Sequence, residues 1–373
     1  MRTTRGVATT LLVALCAVAG WGANPPLTQV EVFRAGENGY HTYRIPALIT
    51  TAKGTLLAFC EGRRASRSDT GDIDVVLKRS FDSGKTWSNL RVVADFGEDT
   101  VGNPAPVIER RTRTVFLLLT SNPGKATEKQ IVDSTAESTR AVWLMSSADD
   151  GATWSKPREI SASVKRPDWT WYATGPGNGI QLRSGRLAIP CDHIRRGTKA
   201  MHSHLIYSDD RGTTWQIGGI AGEKTNESAV AELPDGSLLL NMRSYHGQAR
   251  RAVARSRDGG LTWSETRLDD ALVEPVCQAS LVRYGSNQLL FSNPADTRRA
   301  RMTVRLSRDG GRTWPVARLL HEGPSAYSSL AVLRDKTIGL LYERGEAQPY
   351  ERITFARFSL RWLTENAARG SFF

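Results

Sequence analysis

An eight-residue pattern, Ser-x-Asp-x-Gly-x-Thr-Trp, occurs five times in this chain of 373 residues. The copies begin at Ser80, Ser147, Ser208, Ser256 and Ser307, and their starts lie 67, 61, 48 and 51 residues apart. Self-similarity on that scale marks a repeat architecture. Each copy carries hairpin chemistry: the Asp can accept from backbone N–H groups across a turn, and the Gly can take a positive φ. The Trp that closes each copy is a large apolar body able to wedge between neighbouring sheets. Strand-like runs flank the copies, as in Asp74-Val-Val-Leu-Lys-Arg79 before the first and Arg91-Val-Val-Ala94 after it. The repetition assigns the boxes to architecture rather than to a metal or sugar site.

A unit of about 57 residues has room for four short strands and cannot cover both of its faces alone, so such units stack radially. About 350 residues outside the N-terminal segment accommodate six of them. The expected fold is therefore all-β, a six-bladed β-propeller whose N- and C-terminal strands share the closing blade. Hydrophobic residues at 40% and charged residues at 24% suit a globular protein and exclude collagen, coiled coil and low complexity for the chain as a whole. The polar stretch 121–140 has almost no core-forming residues and reads as a long loop, or a short helix within one, over one rim.

Residues 1–23 have a positive start at Arg2 and Arg5, an apolar run over 7–19, and small residues at Ala17, Ala19 and Ala23. This is the pattern of a secretory signal, too short for a comfortable membrane span. The expectation is an exported protein with one domain over 24–373 and no stable membrane insertion; whether it is periplasmic, cell-surface or secreted stays open. Cys60, Cys191 and Cys277 have spacing unsuited to zinc and read as buried thiols with at most one disulfide. The formal charge of +12 fits a solvated basic surface or an anionic partner. Nucleic acid is disfavoured, because the basic residues are scattered.

In a propeller, chemistry collects where inner strands end near the axis. Arg44 stands directly before the apolar run 45–49, Arg243 ends the run 238–242, and Arg299 leads into Met302-Thr-Val304. Three arginines from three blades could form an anion clamp, since Arg suits bidentate carboxylate binding. Arg63 follows Glu61, and a polar loop beyond it carries Asp69, Asp72 and Asp74. Glu227 precedes the apolar run 229–231, Tyr327 precedes the final strands, and Glu343 could orient an arginine.

The motif Tyr43-Arg44-Ile45-Pro46 resembles the Phe/Tyr-Arg-Ile-Pro motif of sialidases (neuraminidases), and the five repeats resemble that family's Asp-boxes. The resemblance covers nearly all of 24–373 and is greatest to single-domain bacterial exo-sialidases, which are six-bladed propellers. It implies that Arg44, Arg243 and Arg299 grip a sialic acid carboxylate; Arg298 and Arg301 are neighbours that could replace Arg299. It implies Asp69 as loop acid/base, Tyr327 as nucleophile, Glu227 as the carboxylate that activates it, Glu343 as the holder of the first arginine, and Arg63 as a substrate contact. The segment 169–179 and Ile189-Pro-Cys-Asp192-His193 also resemble pocket-lining segments, with no role attached. The implied activity is release of terminal sialic acid from glycoconjugates with retention, with sialylated glycans as partners and neither metal nor organic cofactor. A trans-sialidase and a non-catalytic sialoglycan-binding propeller are the alternatives.

Overall fold

The computed structural model describes residues 27–365; the 1–23 segment lies outside them. The fold is all-β. Its ladders resolve into antiparallel four-stranded units in chain order. Unit one consists of Thr42–Thr50, Leu56–Arg63, Ile73–Ser80 and Arg91–Ala94; unit two of Thr100–Glu109, Thr114–Asn122, Ala141–Ser147 and Arg158–Glu159. Unit three is formed by Trp169–Thr174, Leu187–Arg195, Met201–Ser208 and Gln216–Glu223, and unit four by Thr225–Glu232, Leu238–Ser244, Arg250–Ser256 and Arg267–Val273. Unit five holds Ser280–Tyr284, Gln288–Pro294 and Ala300–Ser307, completed by the first half of the long strand Val316–Val332. The second half of that strand opens unit six, which continues through Ile338–Arg344 and Arg352–Phe358. The N-terminal strand Thr28–Arg34 supplies its fourth member, pairing with Arg352–Phe358.

The strands are apolar on both faces because each unit is covered on both sides. In the run Leu117-Leu118-Leu119, Leu117 and Leu119 pack toward unit one while Leu118 packs toward unit three. Leu238 and Leu240 face unit three, and Leu239 faces unit five. A strand buried on both faces reads as a continuous apolar run rather than an alternating one. The apolar clusters lie between units one and two, two and three, three and four, four and five, five and six, and six and one.

Each Asp-box joins the third strand of its unit to the fourth. In the first, Asp82 accepts from the Thr86 N–H and hydroxyl and from Ser80 Oγ, while Ser80 Oγ accepts from the Gly84 N–H. The same bonds recur around Asp149, Asp210, Asp258 and Asp309. The aromatic of the box reaches back to the preceding unit. Trp87 meets Phe355 of unit six edge-on, Trp154 meets Phe59 of unit one, and Trp215 meets Phe116 of unit two. Cys60, Cys191 and Cys277 are buried free thiols. The polar stretch 121–140 begins as the end of strand Thr114–Asn122 and continues as a loop holding one short helix, Glu128–Val132, closed by a capping box between Thr127 and Gln130.

Candidate active site

One end of the strand set is distorted in a repeated way. The opening strands of units one, two, four and six all shift register there, between Arg44 and Ala47, Gly102 and Ala105, Thr225 and Ser228, and Ser325 and Ser328. Such bulges re-aim side chains and free backbone N–H groups from the ladder. Ile45 sits at φ +62, a costly position for a β-branched residue, and its N–H donates to Glu343 Oε1 at 2.8 Å. Asn103, at φ +53, donates its N–H to Glu61 Oε1 at 2.9 Å. The Tyr327 N–H donates to Glu343 Oε2 at 3.0 Å. Carboxylates at the ends of second strands thus hold the bulges of first strands.

The bulged ends and their loops surround a polar cavity of about 140 Å³. Arg44, Arg63, Asp69, Glu227, Arg243, Arg299 and Tyr327 all line it. Glu343 lies fully buried behind the wall, with Oε1 3.2 Å from Arg44 Nε. All eight residues singled out from the sequence therefore belong to one neighbourhood, although they come from units one, four, five and six and the loop after unit one's second strand. Arg298 stays outside the cavity lining, and Arg301 is paired with Glu322. Asp72 and Asp74 bind Arg64 rather than the cavity.

Tyr327 Oη donates to Glu227 Oε1 at 2.6 Å and accepts from Arg243 Nη1 at 3.2 Å. Arg243 Nη1 also meets Glu227 Oε2 at 2.8 Å. Burial and then the Glu227 carboxylate push the Tyr327 phenol well above its ordinary value, against the pull of Arg243, Arg299 and Arg44. The phenol is therefore protonated at neutral pH, with the Glu227 carboxylate within hydrogen-bond reach of its proton. Across the cavity, the exposed carboxylate of Asp69 contacts Arg63 at 2.6 Å and Arg44 at 3.4 Å. Partial desolvation at the cavity mouth acts to raise Asp69, but the two guanidinium groups outweigh it and hold the acid below its usual range. Arg44 Nη2 and Arg243 Nε are buried without a hydrogen-bond partner among the described residues.

Several lining residues carried no role in the sequence reading. Arg140 is buried, donates to Asn103 Oδ1 at 2.6 Å and stacks on the Trp171 ring at 3.8 Å. Its sequence signal was its place at the end of the polar stretch, directly before a buried strand. Asp192 accepts from Asn226 Nδ2 at 3.0 Å, and burial and then Glu227 raise its acid well above the usual range. Glu128, from the short rim helix, completes this side. A larger, open hollow lies at the opposite ends of the strands, lined by Arg110, Arg183 and Arg186 among others. Those arginines are held by Leu182 O, Leu233 O and Asp209, so they act as staples between turns.

Residues 54–342 match the BNR repeat-like domain family. The chain is 35% identical over 365 residues to an exo-alpha-sialidase of Aspergillus fumigatus, covering 87% of this chain and 86% of that one. It belongs to the sialidase family. A sialidase of Bacteroides fragilis is 37% identical over 85% of this chain, and one of Micromonospora viridifaciens 35% over 92%. The chain spans 63% and 55% of the lengths of those two relatives. Among solved structures, the Hadza microbial sialidase Hz136 superposes with a TM-score of 0.82 at 35% identity, covering 90% of this chain and 69% of the other. A leech intramolecular trans-sialidase shares the fold, with a TM-score of 0.77 at 20% identity over 90% of this chain and 71% of its own.

Proposed function

We propose that this sialidase-family chain is an exported, retaining exo-α-sialidase built as a closed six-bladed propeller. The cyclic order of apolar clusters, with unit six packed on unit one, supports the closure. The observation that carries the activity is the 2.6 Å bond from Tyr327 Oη to Glu227, inside a cavity that also receives Arg44, Arg243 and Arg299. Sialic acid bears a carboxylate on its anomeric carbon, and a carboxylate nucleophile would meet that charge at close range. A protonated phenol avoids the repulsion until it attacks. That sialidases use a Tyr nucleophile is a known exception among glycosidases. In the first displacement, Tyr327 Oη bonds to the anomeric carbon as Glu227 takes the phenolic proton. Asp69 protonates the departing glycosidic oxygen. In the second, Asp69 takes a proton from water, the water oxygen bonds to the anomeric carbon as its bond to Tyr327 Oη breaks, and Glu227 returns its proton to the phenolate. Two displacements give net retention.

Asp69 must be protonated to act first, yet Arg63 and Arg44 favour its anion. A substrate carboxylate bound by Arg44 would loosen that hold and add negative charge nearby, raising the acid when it is needed. Export rests on residues 1–23 alone, and sialylated glycans follow from the proposed clamp. The test is turnover of a fluorogenic α-sialoside, with proton NMR identifying the first anomer released. Wild type is expected to release the α-anomer. Tyr327→Phe is expected to lose at least a thousandfold in kcat while retaining affinity for sialic acid. A wild-type protein that binds the sugar and cleaves nothing would instead be a non-catalytic binder.

A further inference from the structure

Arg44 and Arg299 stand in different units. Glu343 holds Arg44 by Nε alone. Among the described residues, Arg299 has no carboxylate in salt-bridge contact, although it reaches the same cavity. Two side chains link the two arginines: the Tyr327 ring, with Arg44 at 5.0 Å and Arg299 at 5.6 Å from its centroid, and Tyr350, which alone adds a hydrogen bond. Tyr350 lies in the turn between the second and third strands of unit six, with its ring against the guanidinium of Arg44 at 4.2 Å. Its hydroxyl accepts from Arg299 Nη1 at 2.7 Å. The ring packs beside Ile45, Cys277 and Tyr327. Arg44 is thereby held between two aromatic rings, with Tyr327 at 5.0 Å.

The turn that presents Tyr350 is itself fixed. Glu351 accepts from the N–H groups of Glu346, Ala347 and Gln348, and Gln348 Oε1 accepts from the Tyr350 N–H. Gly345 begins the turn where a Cβ would lie 2.0 Å from Gln348 O, so a side chain there would displace the backbone. Arg352 ties the far end to Glu31 of the N-terminal strand. A neutral ring is well suited to this place. It satisfies one cation through its face and the other through its oxygen, and it brings no negative charge to compete with an incoming anion.

We propose that Tyr350 is a positioning residue that sets the separation and orientation of Arg44 and Arg299 for a substrate carboxylate. The inference rests on the proposed sialidase reading and adds to it a residue that sets selectivity for the acid group. The test compares two ligands, the unsaturated 2,3-didehydro sialic acid and its uncharged methyl ester, by calorimetry on the full chain. Wild type should favour the acid strongly. Tyr350→Phe keeps the ring over Arg44 and removes the bond to Arg299; it should reduce the acid-over-ester preference about tenfold with an unchanged thermal midpoint. Tyr350→Leu removes both contacts and should reduce it further, so that Phe is a partial rescue. The proposal fails if Tyr350→Phe keeps the wild-type preference, or if Tyr350→Leu weakens both ligands equally, as a merely packing residue would. A wild-type protein that does not distinguish acid from ester overturns the sialidase reading as well.

Discussion

A single carboxylate, Glu343, accepts from Arg44 Nε, the Ile45 N–H and the Tyr327 N–H while remaining fully buried. It therefore orients Arg44, stabilises a bulge with a left-handed Ile, and fixes the backbone of Tyr327. Removing one partner of a buried ion pair costs about 3–5 kcal/mol, because the other charge is left uncompensated. Glu343→Ala should lower stability by about that amount in chemical denaturation and reduce kcat/KM on a sialoside by at least a hundredfold. Glu343→Gln keeps one acceptor oxygen and should recover part of the stability. At this scale the sequence was informative where a motif holds its residues together, as at Tyr43-Arg44-Ile45-Pro46. It was silent about Tyr350, whose significance arises from two arginines 51 and about 300 positions away, brought together only by packing. It was equally silent about Arg140, which shares no local motif with Asn103, the side chain it binds; for Asp192 it gave a pocket-lining segment but no role, and the bond to Asn226 was out of its reach.

Strand-to-strand turns carry the second lesson. The glycine of each Asp-box has two reasons to be glycine. Gly212 has φ +87, and a Cβ built on it would lie 2.3 Å from the Phe116 ring of the preceding unit. Gly84, Gly260 and Gly311 stand in the same relation to Phe355, Leu205 and Leu239. Gly185, at φ +99, has nothing within 4 Å. Gly212→Ala should therefore cost the backbone penalty plus about 1–3 kcal/mol of overpacking, whereas Gly185→Ala should incur the backbone penalty alone. Urea midpoints of the two variants measure the difference. The hairpin role of the box was legible because its bonds lie within eight consecutive residues. The close approach to the next sheet was not, because it depends on which unit stands behind. The count of boxes also acquires a reason. Each box connects a third strand to a fourth, and in unit six that connection does not exist, because its fourth strand comes from the other end of the chain.

On the scale of the whole molecule, some of the basic residues are structural. Arg91, Arg158, Arg186 and Arg255 donate to the backbone carbonyls of Ala152, Thr213, Gly259 and Gly310, each in the Asp-box of the following unit. Net charge alone could not separate such staples from a solvated surface. Unit three conceals a different liability. His193 stacks on Trp169 at 3.6 Å and meets His204 at 3.1 Å. Burial, then Arg166 and His202, lowers His204 from 6.5 to about 3, and burial with His204 lowers His193 still more. Below pH 6.5 the unfolded chain gains protons that the folded chain refuses, so stability falls as pH drops from 6.5 toward 3. The thermal midpoint should thus be lower at pH 5 than at pH 7.5, and His204→Gln should flatten that slope. The Asp-box carboxylates act in a lower window. Desolvation opposes the bonds to Thr86 and Ser80, yet these hold Asp82 down at about 2, so its contribution is lost only as pH falls below about 4. The pairing of Thr28 with Arg357 spans more than 300 residues, so the strand Thr28–Arg34 can find its neighbour only after residues 352–358 have been made. A message cut short before residue 352 yields no smaller working protein. It yields a chain in which Ile338–Arg344 has a bare edge and Thr28–Arg34 has no partner, each able to adhere to another copy, so a premature stop should seed aggregates.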